Sequence, residues 1–84
     1  SNVLVVTKAE QAILMVMFLR GPQTLNELKM RTDRVFTGDE DLLLETLDGL
    51  LSSEPAHVKV LEKQIGQREE RYHQLIFDQP IQFA

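Results

Sequence analysis

Apolar residues recur at helical spacing in three stretches of the first two thirds of the chain, and each stretch follows a residue that can cap a helix. Thr7 is followed three positions later by Glu10, and Thr24 by Glu27. This is the capping-box spacing, in which the threonine hydroxyl and the glutamate carboxylate bind free backbone N–H groups at a helix start. The predicted helices cover residues 7–20, 25–31 and approximately 39–52.

Turn residues separate these stretches. Gly21 can adopt the left-handed conformation that ends a helix, and Pro22 cannot continue one. Residues 32–38 are predicted to form a loop, and residues 53–55 end the third helix. Three residues could start that helix: Thr37, Asp39 and Glu40.

After the third helix the spacing becomes that of strands. Residues 57–63 and 71–77 are predicted strands, the second rich in tyrosine, leucine, isoleucine and phenylalanine. The turn between them covers residues 64–67, where Gly66 can take a positive φ. Residues 78–84 are predicted to be a tail.

Three helices followed by a β-hairpin predict an α+β fold, the winged helix-turn-helix. The second and third helices form the helix-turn-helix pair, and the hairpin is the wing. In this fold a short strand often lies between the first two helices and pairs with the wing, and residues 22–24 could supply it. We expect one domain over residues 1–84, with an ordered core of about 6–77.

Composition narrows the class of protein. The chain has 84 residues, 43% of them hydrophobic, which suits one ordinary globular domain. It has no cysteine, so a disulfide framework and a cysteine-based zinc site are excluded. The longest apolar run, residues 12–19, is too short for a membrane span, and no signal peptide is visible. We therefore expect a cytoplasmic domain that does not enter a membrane.

Two segments resemble a known family. The stretch FLRGPQTLNELKMRTDRV and the wing segment GQREERYHQL are similar to the second winged helix of the YceH-like bacterial proteins, a family of unknown function. The resemblance covers residues 6–77. It implies that the chain is the C-terminal of two tandem winged helices and a fragment of a longer protein. It supplies no catalytic or binding residues to carry over.

The third helix is acidic. It is the element that enters the major groove in DNA-binding relatives of the fold. From Asp39 to Leu51 it has five acids and no base, and the whole chain has a net charge of −4. Carboxylates repel the phosphate backbone, so this composition disfavours reading of the major groove. The acids are either a solvated face or a contact surface for a basic partner. The predicted core stripe consists of Leu43, Leu44, Leu47, Leu50 and Leu51.

Basic residues collect on the predicted wing. Winged helices often insert a wing arginine into the minor groove, whose negative potential favours arginine. The candidate wing contacts are Lys63, Gln67, Arg68 and Arg71. Three glutamates, Glu62, Glu69 and Glu70, interleave with the bases and offset them. The alternatives are solvated hairpin charges or a specific contact, either with DNA or with a sister domain.

The first helix is apolar around almost its whole circumference over residues 12–19. A three-helix core needs one face of such a helix, so the rest should be covered by something else. The wing strand and residues 3–6 could cover part of it, and a second subunit or the companion winged helix could cover the rest. The candidate interface residues are Leu14, Met15, Met17, Phe18 and, on the third helix, Leu42.

No pattern predicts an enzyme, a cofactor, a metal site or a small-molecule substrate. His57 and His73 lack a second ligand at metal-binding spacing, and the two serines Ser52 and Ser53 show no arrangement that would activate them. The sequence therefore favours a non-catalytic interaction or assembly module, either a homo-oligomer or a partner of the companion winged helix. The alternative is the DNA-binding domain of a transcription regulator that contacts the duplex mainly through its wing.

Overall fold

The computed structural model describes residues 4–76 and 81–83, which form four helices and five short strands. The elements are, in order, β1 (Leu4–Val6), α1 (Lys8–Arg20), β2 (Gln23–Thr24), α2 (Leu25–Arg31), α3 (Asp33–Phe36), α4 (Glu40–Ser52), β3 (Val58–Leu61), β4 (Arg71–Gln74) and β5 (Ile81–Phe83).

Both predicted capping boxes are confirmed. The backbone N–H of Thr7 donates to Glu10 Oε1 at 2.8 Å, and the Glu10 N–H donates to Thr7 Oγ1 at 3.1 Å. Thr24 and Glu27 repeat the arrangement at 2.8 and 3.2 Å. Gly21 ends α1 with φ of 81°, and its N–H donates to the Met17 carbonyl. The first two helices therefore begin and end where the sequence predicts.

The predicted loop over residues 32–38 is wrong, because Asp33–Phe36 forms the short helix α3. Phe36 is buried, and the Thr32 hydroxyl donates to the Leu28 carbonyl at 2.6 Å. A single turn is too short to show helical periodicity in a sequence. Thr37 then takes a left-handed conformation, and the third predicted helix, α4, follows with Asp39 as its cap.

The wing is a three-stranded antiparallel sheet with the order β2-β4-β3. Tyr72 at its centre pairs with Gln23 on one side and with Val60 on the other. The prediction that residues 22–24 contribute a strand to the wing is thereby confirmed. Both hairpin strands are shorter than predicted, and the turn between them contains Gly66 with φ of 90°.

A second, two-stranded sheet joins the two ends of the described chain. Strand β5 lies parallel to β1, with Leu4 opposite Ile81 and Val6 opposite Phe83. The prediction that residues 78–84 form a tail is therefore wrong for residues 81–83. Parallel pairing between distant segments leaves no local sequence signal, because the partners share no turn.

Eleven buried hydrophobic residues form one core between the helices and the inner face of the wing sheet. Helices α1 and α4 each contribute three of them, including Met17 and Leu47, and Val58 and Ile76 come from the segment that contains the wing. Leu44, which was placed in the core stripe, is 40% exposed. The fold is the predicted α+β, winged-helix-like arrangement, with one extra short helix.

Candidate interaction surfaces

An apolar groove lies between the end of α1 and the end of α2, and its volume is about 410 Å³. Its walls are formed by Met15, Val16, Leu19, Arg20, Met30 and Arg31. Leu19 and Met30 are 72% and 71% exposed, and the neighbouring Phe18 is 55% exposed. Phe18 and Leu19 at the end of α1 and Met30 at the end of α2 therefore expose large apolar side chains to solvent. We call this surface the α1–α2 groove.

The predicted interface residues divide between this surface and the core. Leu14 and Met17 are buried in the domain's own core, so the prediction that they face a partner is wrong. Helix α1 is apolar on every side, and its sequence therefore does not show which side turns inward. Met15 lines the groove, Phe18 is exposed in the last turns of α1, and Leu42 is exposed on α4, away from the core.

Two arginines stand at the groove. Arg20 lies in the last turn of α1, and Arg31 in the last turn of α2. The Arg31 Nε donates to the side-chain oxygen of Gln23 at 3.1 Å, which fixes the base of this side chain and leaves its other two nitrogens available. Within the part of the chain that the structure describes, neither arginine has a carboxylate within 4.0 Å. The groove therefore combines apolar walls with two positive charges, of which Arg20 has no ion-pair partner among the described residues and Arg31 is offset in part by the nearby Glu27 carboxylate.

The exposed face of α4 has the opposite character. Asp41, Glu45 and Asp48 point to solvent, and Leu42 and Leu44 are exposed among them. The acids at the start of the helix also favour its dipole. One further acid is neutralised, because Glu40 forms an ion pair of 2.9 Å with Lys29 of α2. The prediction that this helix presents acids and no base to its surroundings is confirmed.

On the wing, the predicted contact residues have different roles. Lys63 and Arg68 are exposed and line a shallow groove of about 350 Å³ against Leu25. Gln67 instead closes the turn, since its side-chain oxygen accepts from the Gln64 N–H at 2.8 Å. Ile65 at the tip is fully exposed. Only two of the four predicted contacts, Lys63 and Arg68, thus offer a freely accessible positive charge.

Arg71, the fourth, lies at the base of the wing opposite Thr24. Its Nε is buried and has no hydrogen-bond partner among the described residues. The pKa of the nearby Glu27 carboxyl is lowered, first by the hydrogen bond from the Thr24 backbone and further by the charges of Arg31 and Arg71. The two segments that carry the family resemblance thus meet here, where β2 pairs with β4.

The structure also reveals a serine–histidine contact that sequence spacing did not suggest. Ser53 Oγ lies 3.2 Å from His57 Nδ1, four positions along the chain. The Ser53 Oγ also lies 3.1 Å from the carbonyl oxygens of Leu50 and Pro55. The backbone N–H of His57 donates to the Leu50 carbonyl. A hydroxyl held by two carbonyls at a helix end serves to close the turn between α4 and β3.

Other ligand chemistry is not evident in the part of the chain that is described. Residues 4–76 and 81–83 contain no group of three histidine or acidic side chains that could hold a metal ion. A cavity of about 240 Å³ lies between α2 and α4, with Phe36 and Leu43 at its floor. Two of the acids that line it already have partners: Glu40 forms an ion pair with Lys29, and Asp39 caps α4. None of the described helices is long and apolar enough to cross a membrane.

Comparisons with known proteins show which family the chain resembles. A family model described as "Protein of unknown function, DUF480" matches residues 1–67. The chain is 42% identical over 71 residues to a UPF0502 protein of Solibacter usitatus, a match that covers 82% of this chain and 33% of the relative. It is 43% identical over 82 residues to a UPF0502 protein of Cellvibrio japonicus, covering 95% and 37%.

The chain therefore spans about a third of the length of these curated relatives. Their names assign no activity, substrate or partner. The resemblance of the segments around Gln23 and Tyr72 to uncharacterised bacterial proteins is confirmed. With its family model matched over most of its length, the chain belongs to the DUF480 family of proteins of unknown function.

Proposed function

We propose that this domain is a non-catalytic interaction module that assembles through the α1–α2 groove. The observation that supports the proposal is the exposure of Leu19 and Met30, 72% and 71%, on the walls of one groove. Scattered exposed apolar residues are ordinary, whereas a contiguous group with a concave centre is typical of a binding surface. Methionine suits such a surface because its side chain adapts to different partners.

The partner is either a second copy of this chain or the companion winged helix of the longer relatives. Both would cover the same apolar side chains, and burying them contributes about 25 cal/mol for each Å² removed from water. Fully covering one leucine or methionine side chain is worth about 1.5–3 kcal/mol on this scale. A substitution in the groove should therefore weaken either form of assembly.

The test compares Leu19→Glu with a matched control, Ile65→Glu at the wing tip. Both residues are largely exposed, so neither substitution should unfold the domain. Sedimentation velocity should show association of the wild type with itself, or with the remaining two thirds of a UPF0502 relative added in trans. Leu19→Glu should abolish that association and Ile65→Glu should preserve it. Equal behaviour of the two variants would contradict the proposal.

A DNA-binding domain that uses its wing is the second candidate function. The exposed Lys63 and Arg68 support it, because both project from the wing loop. The acidic face of α4 argues against it, since a carboxylate-bearing helix raises the cost of approaching phosphates. We expect little retention of mixed-sequence duplex at physiological salt.

This alternative is tested by the double variant Lys63→Ala with Arg68→Ala, measured beside the wild type at low and at physiological salt. Loss of salt-sensitive binding in the double variant would support the wing as a DNA contact. Absence of binding by the wild type would remove this candidate. Arg71→Ala is a poorer probe, because Arg71 is half-buried beside Glu27.

A further inference from the structure

We infer that the α1–α2 groove is occupied by the exposed face of α4 from a second copy of this chain. The inference rests on the proposed function and names the partner for it. It depends on three observations: the charge at the groove, the pattern on α4, and the charges beside the other exposed apolar residues.

The groove requires a partner with carboxylates. Arg20 and Arg31 stand at its walls, and no carboxylate of the described residues lies within 4.0 Å of either. Placing an apolar partner against them would remove two positive charges from water, and only Arg31 has partial compensation, from the nearby Glu27 carboxylate. An acidic partner would instead form charge-assisted hydrogen bonds with both guanidinium groups.

The exposed face of α4 has that composition. Leu44 is 40% exposed and is surrounded by Asp41, Glu45 and Asp48, which lie three positions before it and one and four positions after it. On a helix, side chains three and four positions apart are neighbours, so Asp41 and Asp48 border Leu44 and Glu45 lies next to Asp41 on the same exposed face. A helix that places apolar anchors in a groove is a common mode of recognition.

Ile65, the most exposed apolar residue of the wing, fits the groove less well. It lies two positions after Lys63, whose positive charge would be repelled by the groove arginines. If two copies paired groove to groove, Arg20 of each copy would lie near the arginines of the other. Electrostatic complementarity excludes wrong partners by such like-charge contacts. Helix α4 is therefore the complementary element.

The groove and the α4 face are different surfaces, so the contact is heterologous and every copy carries both halves of it. This property allows a sharp experiment. A variant with a broken groove, Leu19→Glu, retains a working α4. A variant with a broken helix face, Leu44→Lys, retains a working groove, and its long side chain can extend to solvent from this partly exposed position.

Sedimentation velocity is measured for the wild type, for each variant alone and for the equimolar mixture of the two variants. We expect the wild type to associate as its concentration rises and each variant alone to remain monomeric. The mixture should form a one-to-one complex, because one intact groove then meets one intact helix. Circular dichroism confirms that both variants are folded, and Asp48→Lys, which leaves Leu44 in place, should weaken self-association about tenfold.

Each other result has a distinct meaning. If Leu19→Glu is monomeric but Leu44→Lys and Asp48→Lys associate like the wild type, the groove binds something other than α4, and this inference is overturned while the proposed function stands. If the mixture of folded variants stays monomeric, or if the wild type does not self-associate, the inference is likewise overturned. If Leu19→Glu associates like the wild type, the proposed function falls with it.

Discussion

Helices α1 and α4 have the same length and the same kind of start, yet they present opposite surfaces. Each has 13 residues, begins at a side-chain cap and buries three apolar side chains. On its outer side α1 shows Phe18, Leu19 and Arg20, whereas α4 shows leucines among acids. Equal contributions to one core therefore coexist with complementary exteriors.

The difference shows what a sequence pattern can and cannot say about a helix. In α4 the acids mark the outer side, so the inward position of Leu43 and Leu47 could be predicted. In residues 12–19 of α1 no polar residue marks a side, and the inward and outward residues of that stretch can be told apart only by packing. An apolar exterior costs solubility, which makes a covering partner the simplest reason for it to exist.

The largest expected effect is a difference in unfolding free energy between substitutions at two neighbouring residues of α1. Met17→Glu places a carboxylate in the core and should leave the domain largely unfolded, since such changes cost about 4–5 kcal/mol or more. Phe18→Glu, one position along, should cost less than about 1.5 kcal/mol because Phe18 is 55% exposed. Urea denaturation monitored by circular dichroism measures both, and similar losses would contradict the assignment of sides.

The same comparison on α4 should give a smaller difference. Leu43 is 2% exposed, and Leu43→Ala should cost about 2–5 kcal/mol through lost burial and a residual cavity. Leu44→Ala should cost clearly less, since Leu44 is 40% exposed. The urea denaturation midpoints of the two variants measure this difference in stability. A larger loss for Leu44→Ala would restore it to the core stripe.

Helix starts should respond more weakly still. Thr7→Ala and Thr24→Ala each remove a capping hydroxyl and should cost about 1 kcal/mol. Thr46→Ala is the control, because its hydroxyl donates to the Leu42 carbonyl within the helix and caps nothing. In thermal melts, Thr46→Ala should leave the Tm nearly unchanged. A loss at Thr46 equal to the others would mean that capping is not the cause.

The smallest effect should be one of pH. The pKa of Glu27 lies below its ordinary value of 4.5 in the folded domain, chiefly through the hydrogen bond from the Thr24 backbone. Its stabilising contribution is therefore present above about pH 4.5 and disappears as the pH falls through the lowered pKa. Glu27→Gln should flatten the dependence of Tm on pH in that acidic range. An unchanged slope would show that this carboxyl does not contribute.

Local signals account for most of the fold that could be predicted. Capping boxes at Thr7 and Thr24 and the stop at Gly21 determine helix ends within a few residues, so α1 and α2 were predictable. Helix α3 escaped because one turn has no period, and the pairing of β1 with β5 escaped because its partners are distant. Of the candidate surfaces, the acids of α4 were predictable. The groove was not, because it depends on how Met30 of α2 lies against α1.

The pairing of β1 with β5 also has a kinetic meaning. Its two strands come from opposite ends of the described chain, so their pairing closes a loop that contains nearly all of the domain. Closing so long a loop is entropically costly, and contacts of this kind slow folding. The helices and the wing should therefore form first, with this small sheet joining last and opening first when the domain fluctuates.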